Sequence, residues 1–307
     1  MFKENESKPL VSMIIPCYNH ESYVIEAIQS IIDQDYENIE LIIIDDGSND
    51  NSIAKIEEMI PVCQKRFRRF EFRSRPNKGL CATLNEALDW CEGEFFSPLA
   101  SDDVALSHKI SYLTNKILDS DFAVVFGLIQ NFGKLDKIYP RTLSHKSTYI
   151  HSFESLMLTI NLPSTPGAML RTSSVLKVGG YAEDVNLEDR YMWLTLTLNN
   201  EKLITFPNVV SMYRDHDDNT TKNFRKMHIS RLQVLNKFKS SEIYEDSIKK
   251  VHLLLANDIS HTNRLFSIKI VILSKNFNIG GFKAIVHALL PSYILKLRRD
   301  LKKKKLL

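Results

Sequence analysis

Short runs of β-branched and other apolar residues alternate with amphipathic stretches through the first half of the chain. Residues 11–16 (VSMIIP) and 39–45 (IELIIID) read as strands. The second is almost wholly apolar, as expected of a strand covered on both faces. Between them, residues 21–33 carry Val24, Ile25, Ile28, Ile31 and Ile32 at helical spacing. The same reading gives a helix over 53–60, a strand over 70–73, a helix over 79–90, a strand over 94–99, a helix over 107–118 and a strand over 122–129. Alternation of this kind predicts an α/β fold with a mostly parallel central sheet and flanking crossover helices.

After about residue 139 the alternation breaks. A polar stretch (141–147) leads to a helix near 153–159, an irregular segment PSTPG (163–167), a short apolar run (168–170) and a helix over 187–198. Residues 203–213 read as short strands broken at Pro207. From about Asn223 the pattern is helical, which suggests a catalytic α/β domain over 1–222 and a helical C-terminal region over 223–307.

Composition narrows the function classes. In 307 residues, 44% are hydrophobic and 25% charged, which suits a globular chain with a substantial core. The formal charge of +3 is uneven: residues 291–307 carry seven Lys or Arg and one Asp, leaving a mildly acidic body. A nucleic-acid binder would instead place its basic residues on the folded domain, so no nucleic-acid partner is expected. Cys17, Cys63, Cys81 and Cys91 form no CxxC pair and match no zinc spacing. With no signal-peptide core and no run of 18 apolar residues, the expected location is cytoplasmic.

Ligands of open α/β sheets bind beyond the carboxyl ends of the strands. Those ends are polar here: Pro16-Cys17-Tyr18-Asn19, Asp45-Asp46-Gly47-Ser48, Arg75-Pro76-Asn77-Lys78-Gly79 and Ser101-Asp102-Asp103. Adjacent carboxylates such as Asp102 and Asp103 suit a hard divalent cation, although a helix N-cap explains such a pair as well or better when taken singly. Asp45 and Asp46 could accept hydrogen bonds from a ribose or base, or simply form an Asx turn. Tyr18 could stack on a base, and Arg75 could meet a base or phosphate; a core aromatic and a solvated basic stretch are the plain alternatives. Glu188-Asp189 could supply a general base or merely complement the helix dipole. His216, in Tyr213-Arg214-Asp215-His216-Asp217-Asp218-Asn219, could ligate a metal.

Taken together and in order, these motifs resemble glycosyltransferase family 2, whose members share the GT-A nucleotide-diphospho-sugar transferase fold. The resemblance is carried by IIPCYN (14–19), IIIDDGSND (42–50), RPNKGLCATLNEAL (75–88), PLASDD (98–103), LEDRYMWL (187–194) and YRDHDDN (213–219). It implies a donor-nucleotide site at Pro16, Tyr18, Asp45, Asp46, Arg75, Ser101 and Asp102. It implies diphosphate contacts from Arg214 and His216, a Mg²⁺ or Mn²⁺ ion on Asp102, Asp103 and His216, and Asp189 as the catalytic base. The activity implied is inverting, metal-dependent transfer from a nucleotide-sugar donor, UDP being the commonest nucleotide. The acceptor it implies is a saccharide or polyprenyl-linked saccharide, in surface polysaccharide or lipopolysaccharide O-antigen synthesis. One position departs from the family's Asp-x-Asp-Asp: Ala100 stands where the first acid is usual. This keeps open a catalytically impaired sugar-nucleotide-binding or scaffold protein of the same fold. In residues 280–307, Phe282, Ile285, Val286, Leu289 and Leu290 recur at helical spacing before the Lys run. That pattern suits peripheral contact with an anionic membrane, here the inner face of the cytoplasmic membrane, and equally a helix packed on the catalytic domain.

Overall fold

Five of the seven residues of IELIIID are apolar, which leaves β2 (Ile39–Asp45) no solvent face, and all seven residues are buried. It pairs in parallel with β1 (Val11–Cys17), and α1 (Val24–Ile32) forms the crossover between them. Side chains along the two strands alternate between the sheet's faces. Met13, Ile15, Leu41 and Ile43 share a core with Ile28 and Ile31 of α1, and with residues of α2 (Ser52–Arg66) and α4 (Lys109–Ile117). On the other face, α3 (Leu80–Trp90) packs on β1 and β2. The structure, a computed structural model, describes residues 8–133, 139–140, 147–159, 162–260, 263–274 and 279–289.

The remaining strands are β3 (Arg69–Ser74), β4 (Phe95–Pro98), β5 (Val104–Ala105), β6 (Phe122–Gly133), β7 (Tyr139–Pro140), β8 (Tyr149–His151), β9 (Ala168–Arg171) and β10 (Lys202–Asp215). Among the described residues they form one ten-stranded sheet, whose main path runs β3-β2-β1-β4-β9-β6-β10-β5. The block β3-β2-β1-β4 is parallel, as is the β6–β10 pair. The short apolar run that follows the irregular segment 163–167 forms β9, which inserts antiparallel to β4 and β6. Ser97 and Ala168 are tied across that junction by a 2.5 Å hydrogen bond.

Two local expectations are corrected. Pro61 does not end α2, which continues to Arg66. Pro207 does not break β10 either. The strand runs through 14 residues, with its register against β6 shifting between Thr205 and Val209. A bulge leaves the proline nitrogen out of the ladder, so the missing donor costs no pairing.

The sheet belongs to a unit formed by residues 1–156 and 161–216. It also carries α6 (Thr172–Lys177), which the periodicity does not show, and α7 (Glu188–Leu198); α5 (Phe153–Leu158) lies at its margin. Arg190 and Trp193 of α7 are almost fully buried. The Trp193 ring nitrogen donates to the Pro163 carbonyl at 3.1 Å, as a buried indole requires. Glu40, the charged residue inside β2, is fully enclosed. Ser12, Glu40 and Arg69 stand in register on three adjacent strands. The Glu40 carboxylate accepts from Ser12 (2.6 Å), Arg69 (2.8 Å), Glu92 N–H (2.6 Å) and Gly93 N–H (3.1 Å).

The second unit comprises residues 157–160 and 217–307. In it are α8 (Phe224–Asn236), α9 (Tyr244–Ile259), α10 (Arg264–Leu273) and α11 (Ile279–Leu289). Asn223 caps α8 by accepting from Lys226 N–H, and Asn263 caps α10 by accepting from Phe266 N–H. Leu255, Ala256, Ile270, Val271 and Ala284 form its small core. Leu265, Phe266, Ile272 and Leu273 of α10, and Phe282 and Leu289 of α11, are exposed. No described helix is long and apolar enough to cross a membrane. The basic run of residues 291–307 lies outside the described residues.

Candidate functional site

The parallel register brings the polar strand ends to one edge. Cys17 of β1 lies opposite Asp45 of β2, which lies opposite Ser74 of β3. Their loops are then stitched together. Asn19 adopts a left-handed conformation (φ 54°), tolerable for asparagine. Its side chain accepts from Asn49 N–H at 2.8 Å, and its own N–H donates to Ser48 Oγ at 2.8 Å. Gly47, also left-handed at φ 79°, passes so close to the next loop that a Cβ there would meet Asn77 N at 2.7 Å. Only glycine fits that approach.

Both acids after β2 have protein partners. The fully buried Asp45 carboxylate accepts from Gly47 N–H (3.1 Å), Ser48 N–H (2.9 Å) and Ser48 Oγ (2.5 Å), the Asx turn that the sequence left open. Asp46 accepts from Lys78 N–H (2.8 Å) and Gly79 N–H (2.9 Å), and pairs with Arg75. Arg75 also reaches Glu86 (2.7 Å) and Thr83 (2.9 Å). Burial pulls its pKa down, but the hydrogen bonds to Glu86 and Asp46 outweigh this and hold it above the ordinary value. Pro16 is partly buried beside these turns, while the Tyr18 ring is exposed at the rim.

A second group forms where distant segments meet. β5 begins directly after Asp103 and pairs antiparallel with β10, with Met212 opposite Val104. The residue just past β10, His216, therefore lands beside Asp102. Its Nε2 lies 2.9 Å from Asp102 Oδ2. His20, in the turn after β1, points its Nε2 to within 3.9 Å of the same oxygen, while its Nδ1 is 2.7 Å from Ser101 Oγ. One ligand atom from each of His20, Asp102 and His216 can be chosen so that all lie within 4.8 Å of one another. Two imidazoles and a carboxylate, with Asp102 and His216 buried, are donors that fit a divalent cation.

Arg214 frames this group. Its Nε donates to the Asp102 carbonyl (2.8 Å), its Nη2 to Glu26 (2.5 Å), and its guanidinium covers Tyr23 and Phe132 at 4.9 and 4.3 Å. The Tyr23 ring also stands 4.9 Å from the His216 ring. Asp103 is placed differently from the expectation. It is not part of the His20–Asp102–His216 group. Its Oδ1 accepts from Arg214 N–H at 2.9 Å, and its buried Oδ2 has no hydrogen-bond partner among the described residues. Burial, then the neighbouring Asp102 charge, push its pKa well up. Lys109 lies fully buried near it, its pKa lowered to about 7 by desolvation against the pull of Asp103. Asp103 thus serves the β10 end, and His20 stands in the cluster instead. The only sequence signal for His20 was its place directly after Asn19 in the first turn.

Glu188 and Asp189 occupy the first turn of α7. Asp189 Oδ1 accepts from Arg190 N–H at 2.5 Å. Desolvation, and then the Asp189 charge, push the Glu188 carboxyl up to about 8. A carboxyl raised this far keeps its proton near neutrality.

Comparison with known proteins extends these observations. Residues 12–179 match the family model described as glycosyl transferase family 2. An uncharacterized glycosyltransferase of Rickettsia typhi is 31% identical over 226 residues, 70% of this chain and 64% of that one. An uncharacterized glycosyltransferase of Methanocaldococcus jannaschii is 27% identical over 306 residues, 97% and 95% of the two chains. Several other relatives are longer: matches to glycosyltransferases of Rickettsia felis and Haemophilus influenzae cover 19% and 37% of those proteins. Among solved structures, S. aureus TarS 1–349 gives a TM-score of 0.63 at 18% identity, covering 90% of this chain and 81% of that one. The mannosyltransferase PcManGT from Pyrobaculum calidifontis, solved with GDP-Man and Mn²⁺, gives 0.63 at 13% identity, covering 92% and 85%. These likenesses show the expected GT-A fold.

Proposed function

The chain belongs to glycosyl transferase family 2, and from that membership we propose that it moves a sugar from a nucleoside diphosphate donor to an acceptor hydroxyl, with inversion at the anomeric carbon. The observation that carries the reading is the meeting of Asp102 and His216, 114 residues apart in sequence, beside the loops of β1, β2 and β4. The TarS fragment has been solved with UDP-GlcNAc and PcManGT with GDP-Man, so nucleotide sugars are the donor class to expect, with UDP as the first nucleotide to try.

In this scheme Tyr18 lies over the base while Pro16, the Asp45 turn and the Asp46–Arg75 brace shape the nucleoside pocket. Ser101 and Asp102 continue the site toward the diphosphate, where His216 and Arg214 add donors. A Mg²⁺ or Mn²⁺ ion held by Asp102 and His216 would offset the charge that builds on the departing diphosphate. The Asp189 carboxylate takes the proton from the acceptor hydroxyl as its oxygen bonds to the sugar C1. The bond from C1 to the phosphate oxygen breaks on the opposite face, and its electron pair leaves with the nucleoside diphosphate. General-base assistance of this kind contributes about 10²–10⁴ in rate. Residues 1–222 form the catalytic domain in this proposal, and 223–307 the helical accessory region.

The proposed acceptor is a saccharide, polyprenyl-linked in surface polysaccharide or O-antigen assembly. The exposed apolar residues of α10 and α11, followed in sequence by seven Lys or Arg, support peripheral contact with the inner face of an anionic cytoplasmic membrane. Removing residues 298–307 should then lower sedimentation with phosphatidylglycerol vesicles; unchanged sedimentation would remove the tail from that role. A second reading, a donor-binding protein that does not turn over, is favoured by one feature, Ala100 in place of an acid.

A thermal-shift panel of UDP-, GDP- and dTDP-sugars, each with and without Mn²⁺, tests the reading. A ligand at 100 times its Kd stabilises by about 2.7 kcal/mol. A metal-dependent shift with one donor, together with transfer to a saccharide, supports the enzyme. A shift without turnover favours the donor-binding alternative, and no shift with any donor sinks both.

A further inference from the structure

We propose that His20, Asp102 and His216 form a two-histidine, one-carboxylate site that selects Mn²⁺ over Mg²⁺, His20 taking the part of the acid missing at Ala100. This rests on the glycosyl-transfer reading only for the site's use, not for its existence.

Geometry is the first support. Two ligands of one ion at about 2.1 Å stand about 3.0 Å apart when adjacent and about 4.2 Å apart when opposite. The Asp102 oxygen lies 2.9 Å from His216 Nε2 and 3.9 Å from His20 Nε2, close to those two spacings. The two rings meet nearly at right angles, 88°, with centroids 5.8 Å apart. Neither imidazole stacks over the other, and both edges reach the one carboxylate oxygen.

Orientation is the second. His20 Nδ1 faces Ser101 Oγ at 2.7 Å, and Ser101 is buried. A proton on Nδ1 shared with that hydroxyl leaves the Nε2 lone pair directed toward Asp102. Metal-binding histidines use the same arrangement, with the outer nitrogen hydrogen-bonded and the inner one free to ligate. The residue between Ala100 and Asp102 thus gains a task, holding the replacement ligand in position. The turn that presents His20 is itself fixed, since His20 N–H donates to Ser52 Oγ at 2.9 Å.

Donor chemistry decides the ion. Mg²⁺ prefers oxygen ligands and near-ideal octahedral geometry. Imidazole suits first-row transition ions. Exchanging an acid for a second imidazole therefore lowers Mg²⁺ affinity more than Mn²⁺ affinity.

The test uses the full chain, stripped of metal by chelator and dialysed, with no donor present. Mn²⁺ and Mg²⁺ binding are measured by calorimetry, and the Mn²⁺ complex by electron spin-echo modulation, which detects coupled nitrogens. The parent protein should bind Mn²⁺ at least tenfold more tightly than Mg²⁺ and show two imidazole nitrogens. His20→Ala should lose at least tenfold in Mn²⁺ affinity and show one nitrogen. Ser101→Ala should keep both nitrogens and bind more weakly. His20→Asp should restore affinity and close the gap between the two ions. Circular dichroism of the metal-free proteins confirms folding; if His20→Ala is unfolded, His20→Gln takes its place. Two nitrogens persisting in the variant that lacks His20, or Mg²⁺ binding the parent as tightly as Mn²⁺, would overturn the proposal. Such a failure leaves donor-induced thermal shifts intact, whereas failure of the glycosyl-transfer reading removes those shifts and leaves the Mn²⁺ spectra unchanged.

Discussion

Asp46→Ala asks whether the second acid after β2 braces the loop that follows β3. The carboxylate, only 7% exposed, holds Lys78 N–H, Gly79 N–H and the Arg75 guanidinium. Its removal strands two backbone donors and leaves Arg75 to Glu86 and Thr83. A hydrogen bond to a charged group contributes about 1.5–3 kcal/mol, and breaking a buried pair costs about 3–5 kcal/mol. Pro76, Asn77 and Lys78 are exposed, so water can replace part of what is lost. The expected destabilisation is therefore about 3 kcal/mol, with about 1–2 kcal/mol for Asp46→Asn, which keeps one acceptor. Urea unfolding followed by tryptophan fluorescence measures both. Because the 75–79 loop abuts Gly47, its release should also weaken UDP binding by about tenfold or more, equivalent to about 1.4 kcal/mol. An Asp46→Ala loss below about 1 kcal/mol would refute the brace and return Asp46 to a direct ligand contact.

Asp189→Asn should fold and bind donor as the parent does while losing at least about 10²-fold in transfer; near-normal turnover in a coupled diphosphate-release assay would remove it as the base. Glu188 keeps its proton to about pH 8 when folded but loses it near 4.5 in the ordinary state. The unfolded chain therefore binds fewer protons between these values, and stability falls as pH rises through that window. Glu188→Gln should consequently be close to the parent at pH 4 and more stable at pH 9, by roughly 2–4 kcal/mol after allowing for residual solvent access; equal urea midpoints at pH 9 would contradict this. Glu40→Ala strands Arg69, Ser12 and two backbone donors in a closed environment, and should cost about 3–5 kcal/mol. Glu40→Met combined with Arg69→Met should recover much of that, and no recovery would show that the pair is net stabilising.

Hydrophobic period was enough to find β1 to β4, α1, α3 and α4, because each element's burial is written within a window of ten or so residues. It was also enough to show polar strand ends, since a parallel sheet must collect them at one edge. Where a signal depends on a partner far along the chain, the window is blind. Pro207 reads as a break until β6 supplies a register that can slip past it. Nothing in the sequence around Glu40 shows that Ser12 and Arg69 arrive on either side of it. Asp46 and Arg75 each look like ligand contacts, and only the close approach of their two loops reveals that they hold one another. Asp102 and Asp103 are adjacent in sequence and alike in chemistry. The pairing of β5 with β10 separates them, turning one toward His216 and His20 and the other toward Arg214 and the Lys109 side. The residue types needed for a nucleotide-sugar site were thus set by sequence. Which of them face a ligand and which only support the others was decided by strand pairing, because a carboxylate's role follows from the donors that tertiary contacts place around it.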